Sequence, residues 1–231
     1  MKTSLSIEST ESAGIVKRPS CTRCLRPQST CICQWVTPVT HAVEVLILQH
    51  PREVAQSKGS ARLLHLSLPH SRLVTGEVFD VHACLAQMDA ALEGGIQSQT
   101  PRLPRHNILL YPSPESGQTY DTSIPPPLVS AGLQAPSQLR LIVLDGTWRK
   151  SRKMLYLNPP LQQLPRLSLQ GLPASQYLIR KAHRTGQHST LEATCAALAQ
   201  LESKPDKFDS LLKAFDGFVA QQSAYRAGHG L

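Results

Sequence analysis

The stretch "LRLIVLDGTWRKSRKML" (Leu139 to Leu155) runs from an apolar segment into a single aspartate, a glycine, a tryptophan and a group of basic residues. A strand covered on both faces reads as a nearly continuous apolar run, and Leu139 to Asp145 has that form. The residues that follow, "TWRKSRKMLYL" (Thr147 to Leu157), have helical spacing, which Asn158-Pro159-Pro160 ends. In open α/β sheets ligands sit just beyond the carboxyl ends of strands. Asp145 stands at such an end, Gly146 permits close backbone approach, and a helix begins at about Thr147. Helix capping by Asp145 or Thr147 explains the same residues without any ligand.

Outward from this stretch, strands and helices alternate. "VEVLILQH" (Val43 to His50) is another strand buried on both faces, and "SRLVTGEVF", "NILLYPS" and "LPRLSL" are shorter strand candidates. Helical spacing marks "REVAQSKGSARLLHLSL", weakened by Gly59, and "HACLAQMDAALEGG" with its terminal glycines. The last helices are "STLEATCAALAQLES" and "FDSLLKAFDGFVAQQSAY". Between Pro112 and Pro136 lies a Pro-, Ser- and Gly-rich loop with one short helix near Leu128. The pattern predicts an α/β fold with a mostly parallel sheet and helices on both faces. Residues 1–19 read as a disordered tail, 20–38 as a cysteine module and 39–231 as the α/β domain.

The chain of 231 residues has a formal charge of +8. Its distribution is uneven. From Arg140 to Arg184, nine basic residues (Arg140, Arg149, Lys150, Arg152, Lys153, Arg166, Arg180, Lys181, Arg184) face Asp145 alone, so this segment carries the whole excess. A local surplus of this kind suits a polyanion, nucleic acid being the commonest, although a solvated face looks the same. On the helix after Asp145, Trp148, Ser151 and Leu155 form one stripe and Arg149, Arg152 and Lys153 another. The first is expected to pack, Trp148 included, while the second meets phosphates.

No run approaches the ~18 apolar residues of a membrane span, and the first residues lack a hydrophobic block for secretion, so a cytoplasmic protein without a membrane partner is expected. In that reducing setting "CTRCLRPQSTCIC" reads as a metal site: Cys21, Cys24, Cys31 and Cys33 can surround one structural Zn2+. Arg23 and Arg26, between the ligands, are placed to touch RNA backbone. Cys84 and Cys195 fall in helical patterns as small hydrophobes.

These motifs together resemble the DTW-domain proteins. "CTRCLRPQSTCIC", "LQHPREV", "LLYPS", "LDGTWRKSRKML", "NPPLQQLPRLSL", "SQYLIRK" and "STLEA" occur in the family's order over roughly Pro19 to Glu202. One departure is Gly59-Ser60, where many members carry Asn-Thr. The resemblance implies a tRNA-uridine aminocarboxypropyltransferase, which moves the 3-amino-3-carboxypropyl group of S-adenosyl-L-methionine onto N3 of a tRNA uridine and releases 5′-methylthioadenosine. It also implies a fold related to the SPOUT methyltransferases, with a trefoil knot.

On that resemblance Asp145, Thr147 and Trp148 are the expected catalytic residues, Asp145 as base or as orienting group. Gln49, His50 and Glu53 after the first strand, Leu144 and Gly146 beside Asp145, and Ser189, Thr190 and Glu192 of "HSTLEA" are expected to hold the donor. Ser189 and Glu192 also have capping-box spacing, which accounts for both by itself. Arg149, Lys150, Arg152, Lys153, Arg180, Lys181 and Arg184 are the expected tRNA contacts. Two other readings remain open: an RNA methyltransferase of the same fold class, and a non-enzymatic zinc-containing RNA-binding protein.

Overall fold

The computed structural model of the chain describes residues 19–93, 105–112, 135–169 and 188–228. Five parallel strands form its sheet: β1 (Glu44–Gln49), β2 (Ser71–Thr75), β3 (His106–Leu110), β4 (Leu139–Asp145) and β5 (Arg166–Leu167). Their spatial order is β2-β1-β4-β3-β5. The two most apolar segments, β1 and β4, therefore lie side by side in the interior of the sheet, where both faces are covered.

Alternate residues of these strands serve separate cores. Val45, Ile47, Leu141 and Val143 pack on one face against α2 (Ala61–Ser67), α6 (Thr190–Leu201) and α7 (Asp209–Gly228). Leu46, Leu48, Ile142 and Leu144 pack on the other against α3 (Val81–Glu93), α4 (Trp148–Leu157) and α5 (Pro159–Gln162). Among the described residues no helix is long and apolar enough to cross a membrane.

Several elements differ from their sequence reading for local reasons. "LPRLSL" pairs with β3 over only two residues. The segment after β1 makes one short helix, α1 (Pro51–Val54), before α2. Pro159 opens α5 directly after α4, because Asn158 supplies the bonds that join them. Its buried side chain donates to the carbonyls of Met154 and Glu77 and accepts from the Phe79 amide, tying α4 to the loop after β2. The helix expected near Leu128 and most of the expected tail lie outside the described residues. The trefoil knot depends on connecting segments that also lie outside them.

At the amino end of the strands Glu44 and Arg140 are register partners, and their side chains pair within the fold. Arg140, 1% exposed, contacts Glu44 Oε2 through Nε at 2.8 Å and reaches Asp89, while Arg105 meets the other Glu44 oxygen at 3.1 Å. Arg140 thus belongs to a buried ion cluster rather than to a surface for RNA.

His41 is buried at the entrance to β1, with Nδ1 2.6 Å from the Val43 carbonyl and Nε2 accepting the His70 amide. That arrangement holds a neutral ring. Burial, the largest influence, pulls His41 below the usual histidine range despite the Val43 carbonyl, with His70 and Lys207 adding to the fall and Glu202 opposing it. Burial and then Arg62 do the same to His65. Both rings accept protons less readily folded than unfolded, so stability decreases as pH falls below the unfolded value of 6.5. The urea midpoint is expected to drop between about pH 7.5 and about pH 5.5, and an unchanged midpoint would contradict this reading.

Candidate active site

The carboxyl ends of four parallel strands bring Gln49, Glu77, Tyr111 and Asp145 to one rim, although they are scattered along the sequence. Gln49 and Asp145 are register partners on β1 and β4, so their side chains emerge as neighbours on the same face. Gln49 Nε2 donates to Asp145 Oδ2 at 2.9 Å, and Thr190 Oγ1 donates to Oδ1 at 2.6 Å. The backbone joins them too, since the His50 amide donates to the Asp145 carbonyl. Asp145, 4% exposed, is accordingly an anchored carboxylate beside the start of α6 rather than a freely moving acid.

The start of α6 is itself well satisfied. Ser189 and Glu192 form the reciprocal capping box, with the Ser189 hydroxyl accepting the Glu192 amide and the Glu192 carboxylate accepting the Ser189 amide. Ser60, at the Gly59-Ser60 departure, turns its hydroxyl across to accept the Leu191 amide at 3.3 Å. The Leu191 and Glu192 amides at this helix start are therefore taken up within the protein. The capping explanation holds for Ser189 and Glu192, and Thr190 is the residue that reaches Asp145.

On the opposite face of the rim, His50 caps α1. Its Nδ1 accepts the Arg52 amide, so the facing nitrogen, Nε2, carries the proton toward Glu77 at 2.7 Å. Glu77 is held below the usual carboxylate range, first by its hydrogen bond from Lys153, against some desolvation, and then by the Lys153 charge and the contact with His50. Glu53 is buried and takes Lys150 at 2.8 Å. These two ion pairs fasten α4 to α1 and to the loop after β2. Lys150 and Lys153, expected to bind phosphate, are thereby engaged within the protein.

Gly146 makes the connection compact: a Cβ there would lie 3.1 Å from the Lys150 Cβ and 3.4 Å from the Ser151 amide. The close approach is to α4 itself. Thr147 occupies the N-cap with an extended backbone, but its hydroxyl makes no capping bond. Leu144 points into the second core. Trp148, grouped by helical spacing with the packed residues, is instead 53% exposed and stacks on Tyr111 with ring centres 5.3 Å apart. Only Ser151, Met154 and Leu155 of α4 are buried. Arg149 and Arg152 are exposed, whereas Arg166 is buried beneath the Tyr111 ring system. Arg180, Lys181 and Arg184 lie outside the described residues.

The cysteine segment forms a second cluster. The Sγ atoms of Cys21, Cys24, Cys31 and Cys33 all lie within 4.8 Å of one another, with 3.6 Å between Cys21 and Cys33 and 3.7 Å between Cys24 and Cys31. Disulfide sulfurs sit about 2 Å apart, whereas ligands about 2.3 Å from a tetrahedral ion stand roughly 3.8 Å from each other. The four thiols can therefore hold a metal ion.

Amides of Cys24 and then Arg23 draw the Cys21 thiol down to about 6, which favours a thiolate. Burial, followed by the neighbouring thiols, pushes Cys33 up to about 12. The cluster consequently favours a cation that compensates the crowded charge. The module is fastened to the core: Cys24 and Ile32 are buried there, and Trp35 packs so closely on α7 that a Cβ at Gly217 would lie 2.1 Å from its ring. Arg26 donates to the Ser57 and Gly59 carbonyls and lies over Phe218, so it helps to pack the module onto the domain.

Sequence reading missed Glu77, Tyr111 and Ser60. Tyr111 and Glu77 carried a usable signal, since each stands just past a strand.

Comparison with known proteins gives a consistent result. Residues 18–223 match the model of the DTW domain. The chain is 31% identical to a Drosophila melanogaster protein named tRNA-uridine aminocarboxypropyltransferase 2, over 85% of this chain and 72% of that one. Proteins of the same name from Mus musculus and Macaca fascicularis are 26% and 25% identical, each over 91% of this chain and 66% of their own length. The chain thus spans roughly two thirds of the mammalian relatives. No solved structure matches.

Proposed function

The chain belongs to the DTW-domain family, and on that premise we propose that it is a tRNA-uridine aminocarboxypropyltransferase. It would transfer the 3-amino-3-carboxypropyl group of S-adenosyl-L-methionine to N3 of a uridine and release 5′-methylthioadenosine. The observation that carries this reading is similarity over most of the chain to proteins of that name. The rim supports it with one anchored carboxylate, a threonine hydroxyl that makes no capping bond and an exposed tryptophan, all at the end of β4.

In this reaction uridine N3 loses its proton and bonds to the terminal carbon of the aminocarboxypropyl chain. The carbon–sulfur bond breaks, and sulfur keeps the electron pair as a neutral thioether. Asp145 is assigned to the N3–H, its carboxylate being held in one direction by the hydrogen bonds that Gln49 and Thr190 donate. It orients the uridine and receives the proton as N3 attacks. Pressing that carboxylate against the sulfonium would stabilise the starting charge and slow the reaction, so its partner should be the pyrimidine. The same donor offers a methyl group, and alignment alone selects the carbon attacked.

The by-product tests this assignment. Incubation with tRNA and S-adenosyl-L-methionine is expected to yield 5′-methylthioadenosine, and S-adenosylhomocysteine in its place would identify a methyltransferase instead.

The four cysteines are assigned to Zn2+. With sulfur at every position the ion is structural, leaving no place for an activated water. It would hold together a segment too short to form its own core. Protein purified under reducing conditions is expected to carry about one equivalent of zinc, lost together with the order of that segment on strong chelation. Metal-free protein with an unchanged spectrum and melting profile would refute the assignment. A cytoplasmic setting accords with the reduced cysteines.

A further inference from the structure

Helix α4 turns a second set of residues away from the core, and neither the fold nor the transfer chemistry explains all of them. Ser151, Met154 and Leu155 are buried, while Trp148, Arg149, Arg152, Lys153 and Tyr156 face outward. Trp148, Arg152 and Tyr156 recur every fourth residue, so they form one slowly winding ridge of ring, guanidinium and ring. Tyr156 is 71% exposed and Trp148 53%. Two large aromatic side chains kept in water on one short helix, alternating with arginines, are unusual for a surface serving only solubility.

Trp148 is also held in one orientation. Its ring lies nearly parallel to Tyr111, at 16° and 5.3 Å, and the Arg166 guanidinium stands 5.4 Å from the centre of the Tyr111 ring. One aromatic is thus backed by another, which is backed by a cation, and the half-exposed tryptophan stands on this support beside Asp145.

Flat exposed rings interleaved with arginines match the chemistry of single-stranded nucleic acid, whose bases stack on aromatics while its phosphates meet cations. We infer that the outer face of α4 binds an unpaired stretch of RNA, with Trp148 and Tyr156 each stacking a base and Arg149 and Arg152 meeting the phosphates. The inference rests on the tRNA reading above and narrows it to the strand's form. The eight residue steps from Trp148 to Tyr156 rise about 12 Å along the helix. Bases stacked within a duplex strand repeat every ~3.4 Å with their faces covered, so they cannot occupy either ring. An opened strand can.

Intrinsic tryptophan fluorescence, without S-adenosyl-L-methionine, tests this independently of transfer. A short single-stranded oligouridylate is expected to quench wild-type emission, and a Trp148→Phe protein to lose most of that quench. A blunt RNA duplex of equal charge should leave emission nearly unchanged. Tyr156→Ala, at an exposed position, should weaken oligouridylate binding roughly 5- to 100-fold, and Tyr156→Phe should restore it. Equal quenching by duplex and single strand, or unchanged affinity in Tyr156→Ala, would overturn the inference even if wild-type protein transfers normally. Failure of transfer with intact single-strand quenching would instead count against the proposed reaction alone.

Discussion

Asp145→Asn is expected to lower aminocarboxypropyl transfer about 100- to 10,000-fold while the protein remains folded. The amide is nearly the same shape, and its oxygen can keep one of the two bonds that Gln49 and Thr190 now donate. At the other position an NH2 group would face a donor. Thr190 can rotate its hydroxyl to accept, and Gln49 can turn its amide, so the cost to stability should be modest at about 1–2 kcal/mol. What cannot be recovered is a negative charge that accepts the uridine proton. The change should therefore fall on kcat, with donor affinity nearly retained, and a thermal melt alongside the assay separates chemistry from folding. Full transfer by Asp145→Asn would remove the residue from the reaction.

Arg140→Met should produce the largest loss of stability of any single change at the opposite end of the sheet, about 3–5 kcal/mol. The substitution removes a guanidinium that is 1% exposed and leaves Glu44 buried beside it. Arg105 still reaches Glu44, and Asp89 lies partly in water, which places the expected value toward the lower end of that range. The partner substitution provides the control. In Glu44→Leu/Arg140→Met no uncompensated charge remains in the sheet, so most of the lost stability should return. A urea titration of the two proteins decides it, and a single substitution costing under about 1 kcal/mol would show the cluster to be well solvated.

The same two residues show where sequence reading stops. β1 and β4 were legible because their apolar runs admit only strands covered on both faces, and Asp145 was legible because it interrupts such a run at its end. Arg140 looked like surface charge, since nothing near it in sequence marks Glu44, 96 residues away, as its partner. Strand register creates that pair and likewise places Gln49 against Asp145. Trp148 was misgrouped because helical spacing gives the direction of a side chain and not what stands opposite it. Tyr111, the ring it stacks on, arrives from another strand. Leu25, at a φ of 60°, likewise takes a backbone conformation for which glycine would have been the expected sign.

The basic segment illustrates a further difficulty. Charge counted along the chain pointed to one cationic face, yet Arg140 and Arg166 are buried and Lys150 and Lys153 are bound to Glu53 and Glu77. Of the described residues in that segment, Arg149 and Arg152 are the exposed arginines. They stand next to the two exposed rings of the same helix. Composition gives the surplus of charge, whereas strand register and pairing across the rim decide which of those cations are buried or bound within the protein.

The most direct test is mass spectrometry of nucleosides from unmodified tRNA incubated with the protein and S-adenosyl-L-methionine. The account predicts a uridine bearing the aminocarboxypropyl group on N3, produced by wild-type protein and nearly lost in Asp145→Asn. A uridine that gains only a methyl group, or tRNA returned unchanged by folded, zinc-loaded protein, would contradict it.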